Sequence, residues 1–249
     1  MKIISIEGNI GSGKSTFVNI LKEHFKNENH IIFLDEPVNE WNTIKDLKNK
    51  TIIEKFYKDQ EKYAFSFQIM ALITRIEKLF DVIRNYKDIE LKLKKEIIII
   101  SERSIDTDAN VFAKMLYDDG KICECEYQIY RKCRKIFDKN FSTHIDYYVY
   151  LSIEPEKAKE RILKRNRKGE EDIPLVYLMR CMEYHNQWMM TIKNNLILDA
   201  NIEFMLESNK DKLNNMINEV KKLFNFIPVF KYDKSKHRQF TMMYEDLCQ

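Results

Sequence analysis

Glycine and proline are scarce in this chain of 249 residues, at 5 and 4. That excludes a collagen-like repeat, a mucin-like stalk and a Gly/Ser-rich or Pro-rich disordered chain. No apolar run approaches the roughly 18 residues needed to span a bilayer. The amino-terminal MKIISIEGN has neither a signal-peptide core nor a cleavage site. A cytoplasmic protein without a membrane partner is therefore expected. The cysteines, Cys123, Cys125, Cys133, Cys181 and Cys248, are odd in number and lack metal-knuckle spacing, so free thiols in a reducing compartment follow. Arginine is rare too, 10 residues against 32 lysines, in a chain of net charge +3. Together with abundant Ile and Asn, the lysine excess fits an AT-rich genome, and it argues for no nucleic-acid partner. If the source is viral, the expected compartment is the host cytoplasm.

What is present is a chain that is 44% hydrophobic and 33% charged, long enough to bury a sizeable core. Five short β-branched runs stand out: Lys2–Glu7, Ile31–Asp35, Ile97–Ser101, Tyr147–Ser152 and Leu196–Asp199. Each is largely apolar on both faces, as buried parallel strands are. Helical stretches separate them: Ser15–Lys26, Glu61–Asn85, Thr107–Tyr117, Glu126–Lys139, Pro155–Arg165, Leu175–Lys193 and Glu203–Phe224. Alternation of this kind predicts an α/β fold, a five-stranded parallel sheet flanked by helices. Ligands of such sheets bind beyond the carboxyl ends of the strands. No Pro/Gly-rich linker divides the chain, so residues 1–225 are expected to form one domain, with a tail of unassigned role at 226–249.

Three of the five glycines fall in Gly8-Asn9-Ile10-Gly11-Ser12-Gly13-Lys14-Ser15, followed by Thr16. This is G-x-x-x-x-G-K-[ST] with a strand before it and a helix after it, the context of a P-loop NTPase fold. Glycines allow successive N–H groups to turn inward around phosphate, and the helix adds the positive end of its dipole. Lys14 would reach the β- and γ-phosphates, and Ser15 would hold Mg²⁺ through its hydroxyl. The loop indicates a nucleoside triphosphate without fixing the reaction.

Other motifs lie at the same rim: Asp35-Glu36-Pro37-Val38 with Trp41, and Ser101-Glu102-Arg103-Ser104 after the third strand. Arg161, Arg165 and Arg167 form a cluster followed by Glu170 and Glu171. Arg161 and Arg165 share a helix face, and guanidinium forks suit phosphate oxygens better than lysine does. A solvated helix end is the plainer account of such a charge run, as a strand-end turn is for Glu36.

Together with Phe67-Gln68 and Ile173-Pro174-Leu175, these motifs resemble the deoxynucleoside kinase family over residues 2–204, in the same order. The resemblance implies an arginine-rich lid, a homodimer, and an ATP-dependent, Mg²⁺-using kinase of nucleotide salvage that supplies DNA precursors. The γ-phosphate would go to the 5′-hydroxyl of a deoxynucleoside. It implies that Glu36 accepts from that hydroxyl, that Arg103 pairs with Glu36 to keep it ionised and stabilises the transferred phosphoryl group, and that Glu102 joins Ser15 at the metal. Arg161, Arg165 and Arg167 would clamp phosphate. Glu170 or Glu171 would bind the sugar 3′-hydroxyl with Tyr57.

The base pocket implied by the resemblance has Gln68, Ala71 and Arg75 on one helix face, with Asp108 opposite Arg75. Phe67 and Phe112 flank the base and Trp41 closes a wall. Ala71, Arg75 and Asp108 match the deoxycytidine and deoxyguanosine kinase branch, so deoxycytidine or a purine deoxynucleoside is expected over thymidine. Phe56, and Ala109 with Asn110, depart from that branch and leave purine against pyrimidine open. Two alternatives stand beside this one. A thymidylate-like monophosphate kinase shares the loop, but no arginine precedes Glu36 to clamp an acceptor phosphate. A P-loop module without catalysis would bind nucleotide and transfer nothing.

Overall fold

The computed structural model describes residues 1–140 and 144–225, with only the backbone described at 86–93 and 140. The expected tail 226–249, Cys248 included, lies outside the described residues. Apolar runs, isoleucine-rich in the first three, form β1 (Lys2–Gly8), β2 (Ile31–Leu34), β3 (Ile98–Glu102), β4 (Tyr147–Ser152) and β5 (Asn195–Asp199). All pairings are parallel, in the order β2-β3-β1-β4-β5. β1 is central and buried along its length, so the loop that follows it emerges at the middle of the carboxyl rim. The expectation of strands buried on both faces holds for β1, β3 and most of β4. It fails for β5, an edge strand whose Ile197 is exposed.

The helices are α1 (Lys14–His24), α2 (Val38–Trp41), α3 (Ile52–Lys58), α4 (Gln60–Leu93), α5 (Ile105–Thr107), α6 (Lys114–Asp118), α7 (Glu124–Asn140), α8 (Pro155–Arg165), α9 (Leu175–Thr191) and α10 (Lys210–Leu223). They flank the sheet and close its main apolar core, in which Phe17, Leu21, Ile99, Val149 and Leu178 are buried. Smaller clusters lie between α4 and α7, around Leu72 and Tyr130, and between α3 and α4, around Ile53 and Phe56.

Four differences from the sequence pattern bear on the site. α2 and α3 were not expected, being too short for an apolar period to register. α3 starts on a local signal instead: the Thr51 side chain accepts the Glu54 N–H while Glu54 accepts that of Thr51. The expected helix Thr107–Tyr117 is α5 and α6 joined by a π-helical turn, Asp108–Ala113, the kind of insertion often found at functional sites. The helix expected from Glu203 begins only at Lys210, because Asn209 Nδ2 donates to the Glu203 carbonyl (3.0 Å) and holds a turn there.

Candidate active site

The loop after β1 meets its neighbours so closely that side chains are excluded. Gly11 has φ +77°, and a Cβ there would lie 2.4 Å from the Ala158 carbonyl oxygen. Asn9 is turned away from the loop's mouth: its Nδ2 donates to the Leu178 carbonyl (2.8 Å) and its Oδ1 accepts the Ile10 N–H (2.8 Å). It shapes the loop and ties it to α9. Lys14 is buried and folded back, donating to the carbonyls of Asn9 (2.7 Å) and Gly8 (3.1 Å). Burial first, and Arg103 second, lower its pKa to about 7. The Ser15 hydroxyl donates to Glu102 Oε1 at 2.7 Å.

Glu36, just past β2, is gripped by two arginines through one oxygen. Arg75 Nη2 and Arg103 Nη1 reach its Oε1 at 2.5 and 2.6 Å, and Oε2 has no protein partner among the described residues. Burial pushes this carboxyl up, but Arg103 and Arg75 outweigh it and hold Glu36 well below the ordinary carboxylate range. Arg75 also donates from Nε to Asp108 Oδ2 (2.9 Å) and from Nη1 to the Glu102 carbonyl (3.2 Å). Arg103 adopts φ +63° and lies over the Phe112 ring at 5.0 Å. The π-helical turn puts Asp108 and Phe112 into the site from one element.

A cavity of about 410 Å³ runs from this centre both ways. At one end are the phosphate loop, Thr16, Arg161, Arg165 and Arg167. At the other are Trp41, Tyr57, Phe67, Gln68 and Ala71. Trp41 is fixed by its Nε1–H to Thr74 Oγ1 (2.9 Å) and faces Phe67 edge-on at 5.5 Å. Phe67 stacks on Phe56 at 4.5 Å. Gln68 is only 2% exposed, and its Oε1 is buried without a partner. An amide carbonyl left unpaired in a cavity wall costs stability unless something enters to donate to it.

The lid arginines divide. Arg161 donates to the Ser12 (3.1 Å) and Ile202 (2.5 Å) carbonyls, bracing the loop. Arg165 and Arg167 both donate to Glu170. Glu170 is buried and lines the cavity with Tyr57, whose hydroxyl is pushed up from its ordinary pKa by burial and then by the Glu170 charge. Glu171 is exposed and does not line the cavity. Every residue expected at the site lines this cavity except Gly8, Asn9 and Ser12, which shape its floor. Ala109 and Asn110 line a different groove, beside α7 and α9. The sequence pattern missed Ile53, Lys164, Tyr177, Glu203, Phe204 and Met205 as cavity residues. Ile53 lies on the short α3, and Glu203, Phe204 and Met205 lie in the turn that the pattern reads as helix; Lys164 and Tyr177 lie on expected helices, α8 and α9, where no apolar period marks which side chains meet the cavity.

Ser15 and Glu102 offer hard oxygens at the loop, which suits a magnesium ion that keeps several waters. Among the described residues no cluster of three His, Cys, Asp or Glu could hold a metal by itself, so phosphate would have to complete the coordination. No described helix is long and apolar enough to cross a membrane.

The comparisons with known proteins agree with this layout. A family profile, "Deoxynucleoside kinase", matches residues 4–225. The chain is 32% identical to deoxycytidine kinase of Bos taurus over 246 residues, 89% of this chain and 90% of that protein. It is 33% identical over 208 residues to putative kinase protein 029R of Invertebrate iridescent virus 3, covering 83% of this chain and 92% of the viral one. It is 30% identical to mitochondrial deoxyguanosine kinase of Xenopus laevis, covering 87% and 88%.

Proposed function

The chain belongs to the deoxynucleoside kinase family, and from that premise we propose that it transfers the γ-phosphate of ATP to the 5′-hydroxyl of deoxycytidine or a purine deoxynucleoside, in preference to thymidine. The observation that carries this reading is the single cavity that joins an anion-binding loop to an aromatic slot, with Glu36 at the junction. The loop's amides, Lys14, Arg165 and Arg167 bind the donor phosphates. The slot takes the base between Phe67 and Phe112, with Gln68 supplying an acceptor. Glu170 and Tyr57 hold the sugar.

Glu36 binds the 5′-hydroxyl through Oε2 while the arginines occupy Oε1. A carboxylate held this far below its usual range is a weak base, yet a good hydrogen-bond acceptor. That suffices, because phosphoryl transfer through a loose transition state depends mainly on alignment and charge stabilisation. Arg103, already at the junction, donates to the phosphoryl oxygens as charge spreads over them. Mg²⁺, held by Ser15 and Glu102, would neutralise charge on the donor's phosphates when bound. Closure of Arg165 and Arg167 keeps water out and limits wasteful hydrolysis.

The base preference is supported by the Arg75–Asp108 pair, a polar edge that would take the room a thymine 5-methyl group needs. A polar wall rejects a mismatched base strongly, because its groups are left unpaired. Exposed Ile73 on α4 and Ile129 on α7 support a homodimer through those helices. A coupled assay with ATP, a panel of deoxynucleosides and the matching monophosphates tests the reading. Phosphorylation of deoxycytidine or purine deoxynucleosides is expected, and phosphorylation of monophosphates alone would overturn it.

A further inference from the structure

Glu7 is the penultimate residue of the central strand, yet it does not line the cavity. Its side chain is turned into the protein and is 0% exposed. Three hydroxyls donate to it: Ser5 (2.6 Å) and Ser104 (2.7 Å) to Oε1, and Thr107 to Oε2. Ser104 and Thr107 are also the two halves of the capping box that starts α5. The Ser104 hydroxyl accepts the Thr107 N–H, and the Thr107 hydroxyl accepts the Ser104 N–H, each at 3.3 Å. A hydroxyl carries one proton. The two hydroxyls also lie 3.2 Å apart, where one could donate to the other, but the shorter contacts to Glu7 direct both protons to its carboxylate. A carboxylate supplies two oxygens there, and so fixes both rotors at once.

What this box holds is the turn just before it. Arg103 has φ +63°, a conformation strained for a non-glycine residue that persists only where its surroundings over-determine it. Its N–H is tied to the Ile6 carbonyl (3.0 Å), and its successor Ser104 is tied to Glu7. Directly after the box comes the π-helical turn that carries Asp108.

We propose that Glu7 is a positioning residue for phosphoryl transfer: through Ser104 and Thr107 it locks the β3–α5 turn that brings Arg103 to Glu36 and Asp108 to Arg75. This rests on the roles given above to Glu36 and Arg103. Ser5 provides the internal contrast, since it donates to the same oxygen from β1 without touching the turn.

The test compares Glu7→Gln, Ser104→Ala and Ser5→Ala in steady-state kinetics, thermal unfolding and crystal structures. Glu7→Gln and Ser104→Ala are expected to lower kcat tenfold or more, with the KM values for nucleoside and nucleotide changed less than threefold. Ser5→Ala is expected to keep kcat within twofold. In the Glu7→Gln structure Arg103 is expected to leave Glu36. A purely structural network would lower Tm in all three variants and leave kcat alone. That result, or an intact Arg103–Glu36 contact in the Glu7→Gln structure, overturns the proposal. Should Glu7→Gln fail to fold, Ser104→Ala decides the same question. If the wild-type protein phosphorylates no deoxynucleoside, the functional reading falls, and the Arg103–Glu36 distance in the variants still decides this one.

Discussion

Replacing Lys14 by methionine should make the free protein more stable while destroying its activity. In the free protein the ammonium is buried on two carbonyls and a serine hydroxyl, and its pKa is lowered to about 7 from 10.5. At pH 6 the lysine is charged in both the folded and unfolded states, and at 1.36 kcal/mol per unit the drop of about 3.5 units corresponds to a cost of about 5 kcal/mol. The sign with pH follows from proton counting. Between 7 and 10.5 the unfolded chain binds the proton that the folded one has lost, so wild-type stability rises with pH. At pH 9 the remaining cost is the deprotonation alone, about 2 kcal/mol. Methionine fills the same space without charge, so Lys14→Met should exceed the wild type by several kcal/mol at pH 6, and the margin should shrink by about 3 kcal/mol by pH 9. Urea unfolding at both pH values without nucleotide measures this directly. A variant less stable than the wild type at pH 6, or a margin that widens with pH, would refute the reasoning. Saturating ATP with Mg²⁺ should then raise wild-type Tm and leave the variant's nearly unmoved.

Three further outcomes are expected. Gly11→Ala drives a Cβ into the Ala158 carbonyl at a left-handed φ; it should cost about 1–3 kcal/mol and weaken nucleotide binding, read by unfolding and by titration with ATP. Arg75→Met with Asp108→Ala should raise the thymidine-to-deoxycytidine ratio of kcat/KM at least tenfold, whereas Asp108→Ala alone, leaving Arg75 short of a partner, should lose about 3–5 kcal/mol of stability. Finally, Glu36 lies below its ordinary value when folded, so the stability its ion pairs give is present above the unfolded value of 4.5 and is lost only as pH falls through the lower folded one. kcat/KM for the deoxynucleoside at saturating ATP should accordingly be flat on the acid side down to about pH 5, and an inflection near pH 6 there would contradict the arginine grip.

Much of the architecture is legible in the sequence because its signals are local. The short apolar runs mark the strands, and the glycine spacing marks the loop within a residue of where it folds. The residue pairs are less legible. The Arg103–Glu36 pair is expected and found, but that Arg75 joins it on the same oxygen depends on three chain segments converging, and no spacing encodes it. Nor does any pattern show that Asn9 turns its amide toward α9, or that Glu170, rather than Glu171, faces the cavity. The π-helical turn was hidden because one extra residue barely disturbs an apolar period. Glu7 was hidden for another reason: a carboxylate at a strand end reads as exposed, until the hydroxyls around it are seen.

The lid offers a last consequence. Glu170 accepts from both Arg165 and Arg167, so on the proposed reading the resting protein already holds a stand-in for the phosphate it awaits. Donor binding is then an exchange of one anion for another, in the manner of an ion-exchange resin. Affinity measures how much better triphosphate is than a tethered carboxylate, and added salt screens both sides of that exchange. A sugar hydroxyl that occupies Glu170 would loosen the stand-in. The acceptor nucleoside would in that way set the guanidinium groups free for its own donor.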